Sequence, residues 1–341
     1  MGVYMRSWQI VDGFGLDHLK MNEMPQEKLG SQDVRIKVRA CSLNYRDLMV
    51  VKGWYNPQQP LPLTPVSDGA GEVMEVGTDV KDFKVGDKVC GTFSQNWDAG
   101  RVCDLAQKYT LGGPINGMLS ESIVLNQQGL IKFPSFLTFA EAATLPCAAV
   151  TAFNALTQES SFMPGDTVLI EGTGGVSLFA LQFAQVLNLK TIVISSSNDK
   201  LGFSKKLGAT HTINYAQCPE WHEQVLTLTD GQGVDGVVEV GGARTINKAI
   251  ASVKRGGVIT VIGILSGTTE AFDLVPILMR QIRIHGVFVG PKTLFAAMNR
   301  VIEHSQIHPV IDRCFEFKDA PQAFDYLESG AHFGKVVINV S

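Results

Sequence analysis

A chain of 341 residues with 45% apolar and 18% charged residues is too long for one ordinary core and too apolar for disorder. Its formal net charge of −4 offers no field for a polyanion, which argues against nucleic acid as a partner. Six scattered cysteines with no CxxC pair, no apolar run of bilayer-spanning length and no secretory signal in MGVYMRSW point to a cytoplasmic protein that does not enter a membrane.

In chain order, the first part is rich in Gly and Pro, with short β-like runs at 34–38, 71–76 and 88–91 separated by turns such as Val85-Gly86-Asp87. That spacing predicts a small, mostly antiparallel β unit over 1–129. From 130 to 289 the rhythm changes to an apolar strand followed by a helix, several times over. The predicted strands are Thr167–Glu171, 191–195, His211–Asn214, 236–239, 258–262 and 283–287, with helices at 176–187 and 199–207 among them. Alternation of this kind predicts an α/β fold with a doubly wound parallel sheet of Rossmann type. Residues 290–341 add helices at 294–303 and 320–328 and a closing strand at 335–340.

The run 167–180, TVLIEGTGGVSLFA, carries the most chemistry. A buried strand ends at Glu171, Gly172 and Gly174 allow a tight turn, and a helix begins near Gly175 and Val176 with its N–H groups aimed at a pyrophosphate. The third glycine of the dinucleotide fingerprint is replaced by Ser177, small enough for close helix–strand packing. About twenty residues on, where an NAD-specific site carries a carboxylate, the chain reads Ser195, Ser196, Ser197, Asn198, Asp199, Lys200. Hydroxyls and a cation suit a 2′-phosphate, so the expected cofactor is NADPH. Asp199, second in its helix, reads as a helix-start charge.

On these motifs, and on 44–47 (NYRD), 65–73 (PVSDGAGEV), 151–152 (TA), 205–209 (KKLGA), 213–215 (INY) and 334–337 (GKVV), the whole chain resembles the medium-chain dehydrogenase/reductase superfamily, in its zinc-independent quinone oxidoreductase-like branch. The resemblance implies a GroES-like catalytic domain, 1–129 completed by 290–341, beside a Rossmann NADP-binding domain at 130–289. It implies catalytic roles for Asn44, Tyr55 and Thr151, with Asn44 and Thr151 at the nicotinamide. Lys200 and Tyr215 are implied at the 2′-phosphate or adenosine, and Gly263 and Lys335 join the residues expected to bind the cofactor. Another active-site Tyr of that branch is matched by Met49, which leaves the proton donor unassigned. Asp47 reads as a residue that orients its loop.

Zinc alcohol dehydrogenases of the superfamily use Cys, His and Cys as catalytic ligands, and the matching positions are Asn44, Ser67 and Cys147. One soft ligand does not hold a catalytic zinc, so no metal is expected and Cys147 reads as a small buried apolar residue. Without a Lewis acid, hydride transfer to a quinone or an α,β-unsaturated carbonyl is the expected chemistry. The rivals are an alcohol dehydrogenase-like carbonyl reductase and a non-catalytic NADPH-binding sensor or crystallin-like protein. A homodimer is expected, paired through the strand at 283–289. The stretch 94–119 reads as a long insertion, either a lid or a surface excursion that could serve as a subunit contact.

Overall fold

The computed structural model describes residues 4–158 and 160–340. The chain divides into two compact units, Met1–Val150 with Gly290–Ser341, and Thr151–Val289.

The first unit is built on the long strand Asp33–Leu43, whose alternate residues Val34, Ile36, Val38 and Ala40 are buried. Period-two burial of this kind sets one face of a strand against a core. Its sheet runs Ile311–Glu316, Lys335–Asn339, Asp33–Leu43, Asp68–Val76, Lys88–Gly91, Leu130–Lys132, and Ser122–Asn126 also pairs with Asp33–Leu43. All these pairs are antiparallel except Ile311–Glu316 with Lys335–Asn339. Both ends of the chain therefore build one sheet. A hairpin, Tyr4–Ile10 against Leu19–Pro25, lies outside the predicted elements. The helix Lys292–Ser305 buries Leu294, Phe295, Met298 and Ile302 at helical spacing and stops at Gln306 in the left-handed conformation.

The boundary of this unit differs from the expected 129. Residues 130–150 stay with the antiparallel sheet. Cys90 Sγ donates to Ala142 O (3.3 Å), and the Cys147 N–H donates to Asp68 (3.0 Å). These ties bind the helix Phe139–Ala142 and the turn after it to the first unit. The stretch 94–119 is also corrected. It is neither a lid nor a surface excursion as a whole, because Leu111, Met118 and Leu119 are fully buried in the core.

The second unit is a six-stranded parallel sheet. Numbered by their sequence within this unit, its strands lie in the order 3-2-1-4-5-6: His211–Asn214, Lys190–Ser195, Thr167–Glu171, Val234–Glu239, Val253–Val261, Arg283–Gly286. The first strand is flanked on both sides, which explains its unbroken apolar run Val168, Leu169, Ile170. The helix Gly175–Val186 seals one face with Phe179 and Phe183, and Phe183 meets Phe153 edge-on at 5.3 Å. No helix among the described residues is long and apolar enough to cross a membrane.

Candidate functional site

In the strand order 3-2-1-4-5-6 the connections change direction between the first and fourth strands, so a crevice opens at the ends of Thr167–Glu171 and Val234–Glu239. Gly172 follows the first strand with φ of 72°, a conformation that favours glycine. Gly174 is extended, and a Cβ placed there would meet nothing within 4 Å. Gly175 and Val176 open the helix, whose N-terminus carries no side-chain cap. Open space before uncapped N–H groups is what an incoming phosphate requires. Ser177 does more than fit: its hydroxyl donates to Glu171 O at 2.7 Å and ties the helix to the strand.

The end of the second strand is a hydroxyl cluster. The Ser197 N–H donates to Ser195 Oγ (3.4 Å), and Ser197 Oγ caps the helix Asn198–Lys206 by accepting from the Lys200 N–H (3.4 Å). Ser195 is buried, Ser196 exposed and Lys200 half-buried. The Tyr215 N–H donates to Ser195 O at 3.1 Å, so Tyr215 joins this cluster, its side chain exposed. Gly263 lies elsewhere, against the fourth strand's end. A Cβ there would fall 2.3 Å from Val240 O, so the crossing of two backbones demands glycine. These residues fit a nicotinamide nucleotide, whose diphosphate the Gly172–Val176 turn would hold.

In the first unit, a buried polar cluster forms where three strands end together. Ser42 is paired with Asp68 and Leu43 with Val336. Asn44 precedes the helix Tyr45–Val51, and its N–H donates to Asp47 at 2.8 Å. Asp47 also accepts from the Ser67 N–H (3.1 Å). Lys335 Nζ donates to Leu43 O at 2.6 Å and to Asn44 Oδ1 at 2.5 Å. Asn44 Nδ2 donates to Ser67 Oγ (3.3 Å), which donates to Asp68 at 2.8 Å. Burial raises Asp68 to about 6, with Lys335 opposing the shift and Asp47 adding to it. Burial also raises Asp47, countered by Arg46, and lowers Lys335, countered first by Asp68. Cys147 sits in a π-helical turn, Leu145–Ala149, its thiol driven up by burial and by Asp68.

The donor set here does not suit zinc. The amide oxygen of Asn44 is held by an ammonium, the Ser67 hydroxyl is spent on Asp68, and Cys147 is the single soft ligand of the three positions. Among the described residues no group of three His, Cys, Asp or Glu could hold a metal ion.

Tyr55 stands outside this cluster. It is partly exposed, one ring face on the Arg46 guanidinium at 4.9 Å from its centroid. Arg46 in turn donates to Leu111 O (2.8 Å) and Gly113 O (2.7 Å), anchoring the 94–119 stretch. Thr151 belongs to the second unit, buried in the helix Val150–Thr157. Sequence reasoning missed Arg46 as a hub and the inward turn of Lys335. A charged residue opening the apolar strand Lys335–Asn339 was the available signal, since buried charges need partners.

Two family descriptions match: a GroES-like alcohol dehydrogenase domain over residues 30–135, and a zinc-binding dehydrogenase over 175–304. A zinc-type alcohol dehydrogenase-like protein of Schizosaccharomyces pombe is 45% identical over 334 residues, 96% of each chain. The solved structure of an NAD-dependent alcohol dehydrogenase superposes with TM-score 0.91 at 32% identity, covering 99% of this chain and 100% of that one. A Pseudomonas syringae pv. tomato quinone oxidoreductase gives TM-score 0.84 at 26% identity over 98% and 99% of the chains. The chain belongs to the medium-chain dehydrogenase/reductase family of NAD(P)-dependent oxidoreductases, among its zinc-type alcohol dehydrogenase-like members.

Proposed function

We propose that this oxidoreductase is an NADPH-dependent reductase of quinones or α,β-unsaturated carbonyls that works without zinc. The observation that carries the reading is the Lys335 ammonium 2.5 Å from Asn44 Oδ1. An ammonium has only donors, so the amide oxygen faces it and the NH2 faces away, one N–H going to Ser67 Oγ and the other left to donate. The remaining N–H suits an acceptor, the carbonyl or enolate oxygen of a substrate. Bound NADPH supplies the hydride. In an enone the hydride adds to the β-carbon, the electron pair moves to the carbonyl oxygen, and a proton completes the product at the α-carbon. The serines at 195–197 and Lys200 support the 2′-phosphorylated nucleotide.

Labelled NADPH tests this. Deuterium is expected at the β-carbon of the enone product with the carbonyl intact, at a rate that chelators leave unchanged. Label at a carbonyl carbon, or chelator-sensitive activity restored by zinc, would favour the second reading, an alcohol dehydrogenase-like carbonyl reductase. The likeness to an NAD-dependent alcohol dehydrogenase speaks for that reading. Inertness toward every acceptor despite tight nucleotide binding would favour a non-catalytic role.

The second unit also supports a homodimer. The edge strand Arg283–Gly286 is exposed throughout, and the helix Leu274–Arg280 exposes Leu274, Val275, Leu278 and Met279. An exposed strand at the end of the sheet order beside exposed apolar side chains suits a two-fold contact with a second copy. Light scattering that returned a monomer mass at assay concentration would remove the dimer.

A further inference from the structure

Glu171 and Glu239 end the first and fourth strands, neighbours in the parallel sheet on either side of the topological switch. Both are buried, at 3% and 0% exposure. Their oxygens are unequally served. Glu239 Oε1 accepts from the N–H of Gly241 (2.7 Å), the N–H of Gly242 (2.8 Å) and the hydroxyl of Thr245 (2.6 Å). Glu171 Oε2 accepts from the Gly241 N–H at 3.2 Å. Glu171 Oε1 and Glu239 Oε2 are buried with no hydrogen-bond donor among the described residues. Two buried carboxylates facing each other with undonated oxygens would repel strongly; one proton between them removes both faults.

We infer that Glu171 is a positioning residue: it carries a proton, donates it to Glu239, and so holds the loop 240–245 in the shape that borders the nucleotide crevice. The three donors on Glu239 Oε1 identify Glu239 as the ionised member and Glu171 as the acid. Burial, and then the charge and hydrogen bond of Glu239, drive the Glu171 carboxyl well above the usual range, in the same direction as the geometry. The charged group facing Glu171 is Glu239. The helix packed on its strand brings the uncharged Ser177 hydroxyl to the backbone carbonyl, and the loop brings the N–H groups of Val240 and Gly241. Glu239 is the clamp on the loop, since its one oxygen gathers both glycine N–H groups and Thr245. Removal of the shared proton at alkaline pH puts two charges into one buried site, and separating them must pull Glu239 off the loop. The inference rests on nicotinamide-nucleotide binding by the family, not on the preference for NADPH or on the enone substrate.

The test uses the whole protein. Infrared difference spectra at neutral pH between wild type and Glu171→Gln are expected to show one buried protonated carboxyl that the variant lacks. Amide exchange at Gly241 and Gly242, corrected for its ordinary base catalysis, is expected to speed up about tenfold or more in wild type at alkaline pH. The affinities for NADPH and NADH are expected to weaken together by about tenfold over the same interval. Glu171→Gln keeps a donor that cannot be titrated, so exchange and affinity should stay flat with pH in that variant. Should it fail to fold, Glu171→Met serves: with no proton to share, its Gly241 and Gly242 should exchange fast already at neutral pH. Absence of the carboxyl band, an alkaline loss in the Gln variant equal to wild type, or slow neutral exchange in the Met variant would overturn the inference. If neither nucleotide binds, nucleotide binding itself fails, while the infrared and exchange results still decide the shared proton.

Discussion

Lys335 Nζ lies 2.5 Å from Asn44 Oδ1, across 291 positions of sequence, and the ammonium is buried at 3% exposure. A buried cation survives only with compensation, and here Asp68 and Asp47 provide the charge while Leu43 O and Asn44 Oδ1 provide the acceptors.

Removing that cation should be costly. Lys335→Met leaves Asp68 buried without its compensating charge, while Asp47 keeps Arg46, so unfolding by urea should show a loss of about 3–5 kcal/mol. A loss below about 1 kcal/mol would mean that the ammonium is dispensable to the cluster.

Asp68 makes stability depend on pH in a definite direction. Its folded value of about 6 lies above the ordinary 3.8, so the folded protein binds this proton more tightly than the unfolded chain does. Stability from this group therefore falls as pH rises from about 4 to about 6 and is level above that. The difference in unfolding free energy, wild type minus Asp68→Asn, should shrink by about 3 kcal/mol across that window. A difference that grew or stayed constant would contradict the assignment.

Lys200 should discriminate between the nucleotides. One charge-assisted contact contributes about 1.5–3 kcal/mol, so Lys200→Ala should weaken NADPH by roughly ten- to a hundredfold and leave NADH nearly unchanged. Equal weakening of both nucleotides, measured by fluorescence titration, would remove the 2′-phosphate role.

How much of this was legible in the sequence depends on whether the signal was local. The Gly172–Val176 turn and the Ser195–Ser197 strand end are contiguous, and each could be read from strand, glycine and helix periodicity alone. The apolar strand Thr167–Glu171 was legible for the same reason. The hairpin Tyr4–Ile10 with Leu19–Pro25 was not, because Arg6, Ser7 and Gln9 interrupt its apolar face and its pairing partner is set by the fold. Lys335 was expected at the cofactor, but its contacts with Leu43 O and Asn44 Oδ1 were not foreseen, a pairing that sheet register creates and spacing cannot reveal. The Glu171–Glu239 meeting is likewise a product of strand order, since 68 residues separate them in the chain. The boundary at 150 was missed because Phe139–Ala142 is helical in sequence but packs with the antiparallel unit.

The two glycines of the turn should fail in different ways when given a side chain. Gly172 has φ of 72°, where a β-branched residue is strained, although a Cβ would meet only ordinary contacts at 3.7 Å. Gly172→Val should therefore lose about 1–2 kcal/mol or more of stability, from the backbone alone. Gly174 has φ of −78° and ψ of −170°, which any residue adopts, and a Cβ there meets nothing within 4 Å. The protein itself has no objection to a side chain at 174 beyond the modest preference of an N-cap for glycine over valine, about 1 kcal/mol or less. What the side chain would obstruct is the approach of a diphosphate to the N–H groups of the helix Gly175–Val186. Gly174→Val should then keep nearly the wild-type melting temperature and bind NADPH and NADH at least about tenfold more weakly. Thermal unfolding and fluorescence titration of both variants separate the cases. Wild-type affinity in Gly174→Val would place the diphosphate elsewhere than on this turn.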